Sequence, residues 1–207
     1  VLALTRQQLP VLDRAALGPA AGVRRGGYVL YDPSGGAQAI VMATGSELSV
    51  ALDAAARLGQ DGIRARVVSL PSWELFAAQP EAYRDAVLPP ALRARVSVEA
   101  GTSFGWHRWL GDGGEAVSLD HFGASAPGER LFEEFGFTAA HVADTVASSP
   151  VPRERPHGER QSPRAARRPR AEPLVRLHHA GADRDRRVAG ADLRRRPARD
   201  DLQPDDL

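Results

Sequence analysis

All twelve Phe, Trp and Tyr residues of this 207-residue chain lie before residue 151, which confines any sizeable packed core to that part. Charge divides at the same place. Residues 1–150 hold 12 Arg against 16 Asp plus Glu, a balance of −4, while residues 151–207 hold 15 Arg against 10, a balance of +5; the net +1 conceals both. The second part has eight Leu and Val, no Ile, Phe or Met, and seven Pro. Its large apolar content falls below the ~20% at which chains stop forming cores. Residues 1–147 are therefore expected to fold, and residues 148–207 to form a disordered Arg/Pro-rich tail. Arg in that tail alternates with Asp and Glu, and no aromatic ring is available to stack on a base, so nucleic-acid binding is not expected.

Two origins of the tail stay open. The whole chain lacks Lys and Asn, whose codons are AT-rich, which points to a GC-rich gene. In such a gene a shifted reading frame yields mostly Arg, Pro, Ala and Gly, as in "PRAARRPRAEP" and "DRDRRVAGADLRRRPARDD". A true low-complexity linker is the rival. His178 and His179 are adjacent, without the spaced ligands a metal site needs. The absence of Cys removes disulfides and thiolate chemistry and fits a cytoplasmic setting. No stretch approaches the roughly 18 apolar residues of a membrane span, and the start has no signal-peptide pattern.

The first part reads as alternating strands and helices. "GGYVLYD" and "AQAIVMATG" are short apolar runs bounded by Gly, Pro and Asp, and the second has the unbroken character of a strand buried on both faces. "SELSVALDAAARLGQDG" places Leu48, Leu52, Ala55 and Ala56 at helical spacing, with Ser46 expected to cap the start and Gly59 or Gly62 to end it. "ARVVSLP", "RARVSVEAG" and "AVSLDHFG" predict three more strands, the last two separated by a helical "SFGWHRWLGD". "GERLFEEFG" and "TAAHVADTVA" predict closing helices. The expected class is α/β, with a mostly parallel or mixed sheet flanked by helices.

No complete active site emerges from the residues alone. "ATGSE" passes from strand to helix, where exposed amides attract anions, but it has neither the Walker pattern nor spaced dinucleotide glycines; a tight turn at Gly45 and a cap at Ser46 explain it better. "GDGG" at Gly111–Gly114 looks like the start of a thiamine diphosphate motif, yet that motif needs a downstream Asn, so a plain turn is favoured. Glu99 ends a strand at the carboxyl edge of the expected sheet, where ligands bind in such folds. Burial there would raise its pKa, but no partner is identifiable, and a structural carboxylate is the simpler expectation. His107, His121 and His141 fit no Ser–His–Asp arrangement.

The opening "VLALTRQQLP" reads as the end of a buried strand, Val1, Leu2 and Leu4, followed by a polar turn carrying Arg6 before Pro10. A buried strand needs neighbours, which leads to the expectation of further chain upstream.

Several segments, in order, strongly resemble the C-terminal domain of transketolase: "LTRQQLP", "RGGYVLYD", "ATGSELSVALDAAARLGQDGIRARVVSLPSWELFAAQ", "YRDAVLP", "RVSVEAG", "GWHRWLG" and "DHFGASAPGERLFEEFGFT". "ATGSE" and "VEAG" are shared with related thiamine enzymes, whereas "TRQ" and the last segment favour transketolase. The resemblance runs from Val1 to about Ala147 and stops where the composition changes.

The resemblance implies transfer of a two-carbon ketol unit from a ketose phosphate to an aldose phosphate, in the pentose phosphate pathway. The complete enzyme would be a homodimer using thiamine diphosphate and Mg²⁺ or Ca²⁺, with its catalytic Glu and cofactor site in N-terminal domains missing here. It also implies that Arg6 helps hold the sugar phosphate, a role suited to the forked guanidinium. No catalytic, cofactor-binding or metal-binding residue is expected in this chain, which is expected to be inactive alone. The alternative is a non-catalytic docking domain of a split thiamine diphosphate enzyme.

Overall fold

A computed structural model describes Leu4 and residues 7–151. Arg6, His178, His179 and the tail from residue 152 onward lie outside the described residues, and so do the expectations placed on them.

Five strands form one sheet: β1 (Tyr28–Tyr31), β2 (Ala39–Ala43), β3 (Ala65–Ser69), β4 (Arg95–Val98) and β5 (Glu115–Val117). Their order is β1-β3-β2-β4-β5. The last four run parallel, and β1 joins the edge antiparallel to β3, with a register shift between Val29 and Tyr31. The expectation of a mostly parallel, mixed sheet is met.

The unbroken apolar character of β2 follows from its central place, because all five of its residues are buried. Alternation divides them between two cores. Val41, Val67, Val96 and Val98 face a layer made by α1 (Glu47–Gln60) and α6 (Ala139–Ser148). Ile40, Met42 and Val68 face the other layer, built from α2 (Trp73–Ala77), α3 (Glu81–Val87) and α4 (His107–Leu110). In this second layer Phe76, Trp106 and Trp109 fill most of the space, with Phe76 and Trp109 ring centroids 5.1 Å apart.

Helix α1 turns Ala51, Ala54, Ala55 and Leu58 inward at helical spacing, and its small residues let it lie close to both the sheet and α6. Its end is a Schellman motif. Gly62, at φ +77, donates to Gly59 O at 3.2 Å, and Ile63 N–H reaches back to Leu58 O at 2.8 Å. At its start the expected cap does not form: Ser46 makes no capping bond, and the first turn is entered through long i→i−3 hydrogen bonds of 3.3–3.4 Å to the carbonyls of Thr44, Gly45 and Ser46. The Ser46 hydroxyl serves a neighbouring carboxylate instead.

Helices α5 (Gly128–Glu134) and α6 lie where their sequences predict, the latter capped by Thr138 Oγ1, which accepts from His141 N–H at 3.2 Å. Residues 72–92, for which the sequence predicts no element, hold α2 and α3. Ser72 caps the first, and Pro80 precedes the second. Described packing extends slightly beyond residue 147, since Val151 rests on the core beside α6.

Candidate functional site

β2 and β4 are neighbours, yet the chain leaves them toward opposite faces of the sheet: β2 leads into α1 on one layer and β4 into α4 on the other. Such a reversal opens a crevice at the carboxyl edge, the position where α/β sheets bind ligands. Two carboxyl groups lie there. Glu47 opens α1 and is only 6% exposed, and Glu99 follows β4 and is half-buried.

Glu47 ties the two loops together. Its Oε1 accepts the Ala100 N–H at 2.8 Å, and its Oε2 accepts the Ser46 hydroxyl at 2.8 Å. The turn that aims it depends on Gly45, whose φ of +57 suits glycine; space is not the constraint, because a Cβ there would stand 3.8 Å from Glu47 Oε2. Glu99 N–H bonds Val117 O at 3.0 Å, which fixes the base of its loop. Burial pushes the Glu99 carboxyl up to about 7, and the nearby Glu47 carboxylate adds to the shift. Near neutral pH this crevice therefore holds a proton that is readily gained or lost.

The loops after β4 and β5 are stitched to each other beside the crevice. Asp120 Oδ1 accepts from Ser103 N–H at 2.8 Å and from the Thr102 hydroxyl at 3.0 Å, while Leu119 N–H bonds Gly101 O at 2.7 Å. Hydrogen bonds from Ser103 and Thr102 hold the exposed Asp120 below the usual carboxylate range. Each loop presents an almost fully exposed phenyl ring: Phe104 is 82% exposed and Phe122 is 99%.

Other sequence candidates are placed apart from this crevice or explained by packing. His107, His121 and His141 are all exposed; the His121 ring packs edge-on against Phe135, centroids 5.2 Å apart. Gly111–Gly114 is a turn between α4 and β5, with the Asp112 side chain 98% exposed and 3.9 Å from Arg93. That arrangement, in a chain without Asn, does not fit the diphosphate and its divalent ion. Among the described residues no group of three or more His, Asp or Glu could hold a metal ion, and no helix is long and apolar enough to cross a membrane. Glu47 is the functional candidate that sequence reasoning missed. Its signal was present in "ATGSE", but its meeting with Glu99 depends on β2 and β4 being neighbours.

The sequence profile of the family described as "Transketolase-like TK C-terminal domain" matches residues 26–138. The transketolase of Mycobacterium tuberculosis is 53% identical over 148 residues, covering 69% of this chain and 21% of the relative. That of Halalkalibacterium halodurans is 48% identical over 141 residues, covering 68% and 21%. Among solved structures, transketolase from Leishmania mexicana superposes with a TM-score of 0.57 at 42% identity, over 63% of this chain and 19% of that one. Transketolase from Pichia stipitis in complex with sedoheptulose-7-phosphate gives 0.61 at 38% identity, over 69% and 20%. The chain thus spans about a fifth of the length of the curated relatives it matches.

Proposed function

The chain belongs to the transketolase family, matching its C-terminal domain, and we propose that it serves as the C-terminal portion of a ketol-transferring enzyme whose thiamine diphosphate, divalent metal and catalytic Glu are held by other domains. In that role it works in the cytoplasm on sugar phosphates of the pentose phosphate pathway, within a homodimer. The observation that carries the reading is the family match over residues 26–138, together with 53% identity to a complete relative. The exposed Phe104 and Phe122 beside the carboxyl-edge crevice support it, because apolar rings on stitched loops suit a surface that meets another domain. In this reading the transketolase-like domain ends at about residue 147, and the described packing closes with Val151.

Arg6 is the proposed contact to the substrate phosphate, since a guanidinium offers a charged, forked donor set. One experiment tests the whole reading. The 207-residue chain is assayed for ketol transfer alone, and then fused in place of the C-terminal domain of the M. tuberculosis transketolase. The expected results are no turnover alone and restored turnover in the fusion. Arg6→Ala in the fusion should weaken a phosphorylated donor about ten- to hundredfold and leave an unphosphorylated one nearly unchanged. A folded but inactive fusion overturns the proposal, and equal weakening of both donors overturns the role of Arg6.

A further inference from the structure

The opposite, amino edge of the sheet carries a cavity of about 530 Å³. Phe76, Leu88, Trp109 and Leu110 supply its apolar wall. Three guanidinium groups meet there in different states. Arg95 is fully engaged, donating to the carbonyls of Leu88, Pro89, Leu92 and Trp109 at 2.7–3.1 Å. Arg93 reaches Asp112 only at 3.9 Å, with both side chains largely exposed. Arg84 has a buried Nε with no acceptor, although Glu81 and Asp85 also border the cavity.

A second orphaned donor lies on the same wall. The Trp109 residue is 94% buried, being 6% exposed, and its ring packs against Phe76 and under the Arg108 guanidinium at 4.8 Å, but its Nε1–H has no acceptor. Of the three buried side-chain polar atoms without a partner among the described residues, two therefore belong to residues that line one cavity; the third is Ser97 Oγ. Buried donors left unmatched are unfavourable, and a cavity with two of them beside an apolar wall is complementary to a ligand that brings an acceptor and a flat apolar body.

We propose that this cavity binds a small organic monocarboxylate, with Arg84 and the Trp109 indole as its donors and the apolar wall covering its body. A carboxylate matches the edge of the Arg84 guanidinium in two parallel bonds. A phosphate is disfavoured, because Glu81, Asp85 and Asp112 at the rim balance Arg84, Arg93 and Arg95 and oppose a doubly charged ligand. Arg84 makes no side-chain hydrogen bond among the described residues, so its side chain is not committed to a protein partner and can adjust to meet a ligand at the cavity it lines.

The test is a titration of the ¹⁵N-labelled 207-residue chain with benzoate, read on the three indole N–H signals, with phenyl phosphate and benzamide as parallel arms. The Trp109 signal, assigned by Trp109→Phe, should move downfield and saturate at millimolar benzoate. Phenyl phosphate and benzamide should bind at least about tenfold more weakly. Arg84→Gln should weaken benzoate about ten- to hundredfold, and Arg84→Lys, which keeps charge and helix propensity but not the fork, by an intermediate factor. The proposal is overturned if the Trp109 signal does not saturate, if phenyl phosphate binds as tightly as benzoate, or if folded Arg84→Gln and Arg84→Lys both bind as the parent does. Should Arg84→Gln unfold, Arg84→Lys alone decides.

Discussion

Replacing Glu99 by Gln removes a carboxyl group that folding drives toward neutrality. It titrates at about 7 in the folded chain against an ordinary 4.5, through burial first and the Glu47 carboxylate second. A carboxyl with a raised folded-state pKa holds its proton more tightly when folded, so its stabilising contribution is complete below about 4.5 and is lost as pH rises through about 7. The separation between the two values corresponds to roughly 3 kcal/mol at ~1.4 kcal/mol per decade. Glu99 is only half-buried, and solvent screening of its exposed side reduces the expected effect to roughly 1–2 kcal/mol.

Gln has nearly the same shape and no charge. Glu99→Gln should therefore match the parent within about 0.5 kcal/mol at pH 5 and exceed its stability by roughly 1–2 kcal/mol at pH 8. Urea unfolding followed by tryptophan fluorescence at the two pH values measures the difference. If the variant is no more stable than the parent at pH 8, the carboxyl is not being forced to ionise in an unfavourable place, and the reasoning from burial and Glu47 fails.

Two further outcomes follow from the packing. Arg66, with its side chain 14% exposed, makes a two-pronged pair with Asp32 at 2.8 and 2.9 Å and also donates to the carbonyls of Ala86 and Val87. Arg66→Ala should lower stability by about 2–4 kcal/mol in urea unfolding, and Arg66→Lys should recover less than half, because it lacks the fork. Ending the chain after Val151 should leave the thermal midpoint within about 3 °C of the parent, whereas ending it after Ala147 should lower it further by removing Ser148 and the Ser149 cap from the end of α6 together with the contact of Val151; scanning calorimetry on both chains checks this.

The strands were readable because the apolar runs of β2, β3 and β4 reflect burial from two sides, a condition that leaves its mark on every residue of a short segment. Helix α1 was readable to its end, where Gly62 takes a backbone conformation that other residues avoid. Its start misled, because Ser46 can bond either a backbone amide or the Glu47 carboxylate, and sequence does not decide between them. Helices α2 and α3 span five and seven residues, too short for a periodic apolar pattern, and Ser72 and Pro80 mark their starts. The pairing of Glu47 with Glu99, and the two orphaned donors of Arg84 and Trp109, arise from residues far apart in the chain, and such encounters leave no local signal.

The register shift in β1 and the brevity of β5 bear on how this polypeptide meets copies of itself. One flank of the sheet is kinked between Val29 and Tyr31, and the other is a three-residue strand whose first two residues, Glu115 and Ala116, are exposed. Neither flank offers the long, flat row of amides and carbonyls that lets a foreign strand add on and nucleate fibrils. Among the described residues, the loop side chains, Phe104 and Phe122 foremost, are then the apolar surface left for association, and contacts of that kind are weak enough individually to come apart on dilution. A concentrated sample should accordingly turn over between small, reversible clusters and single chains, with no growth of thioflavin-positive fibres.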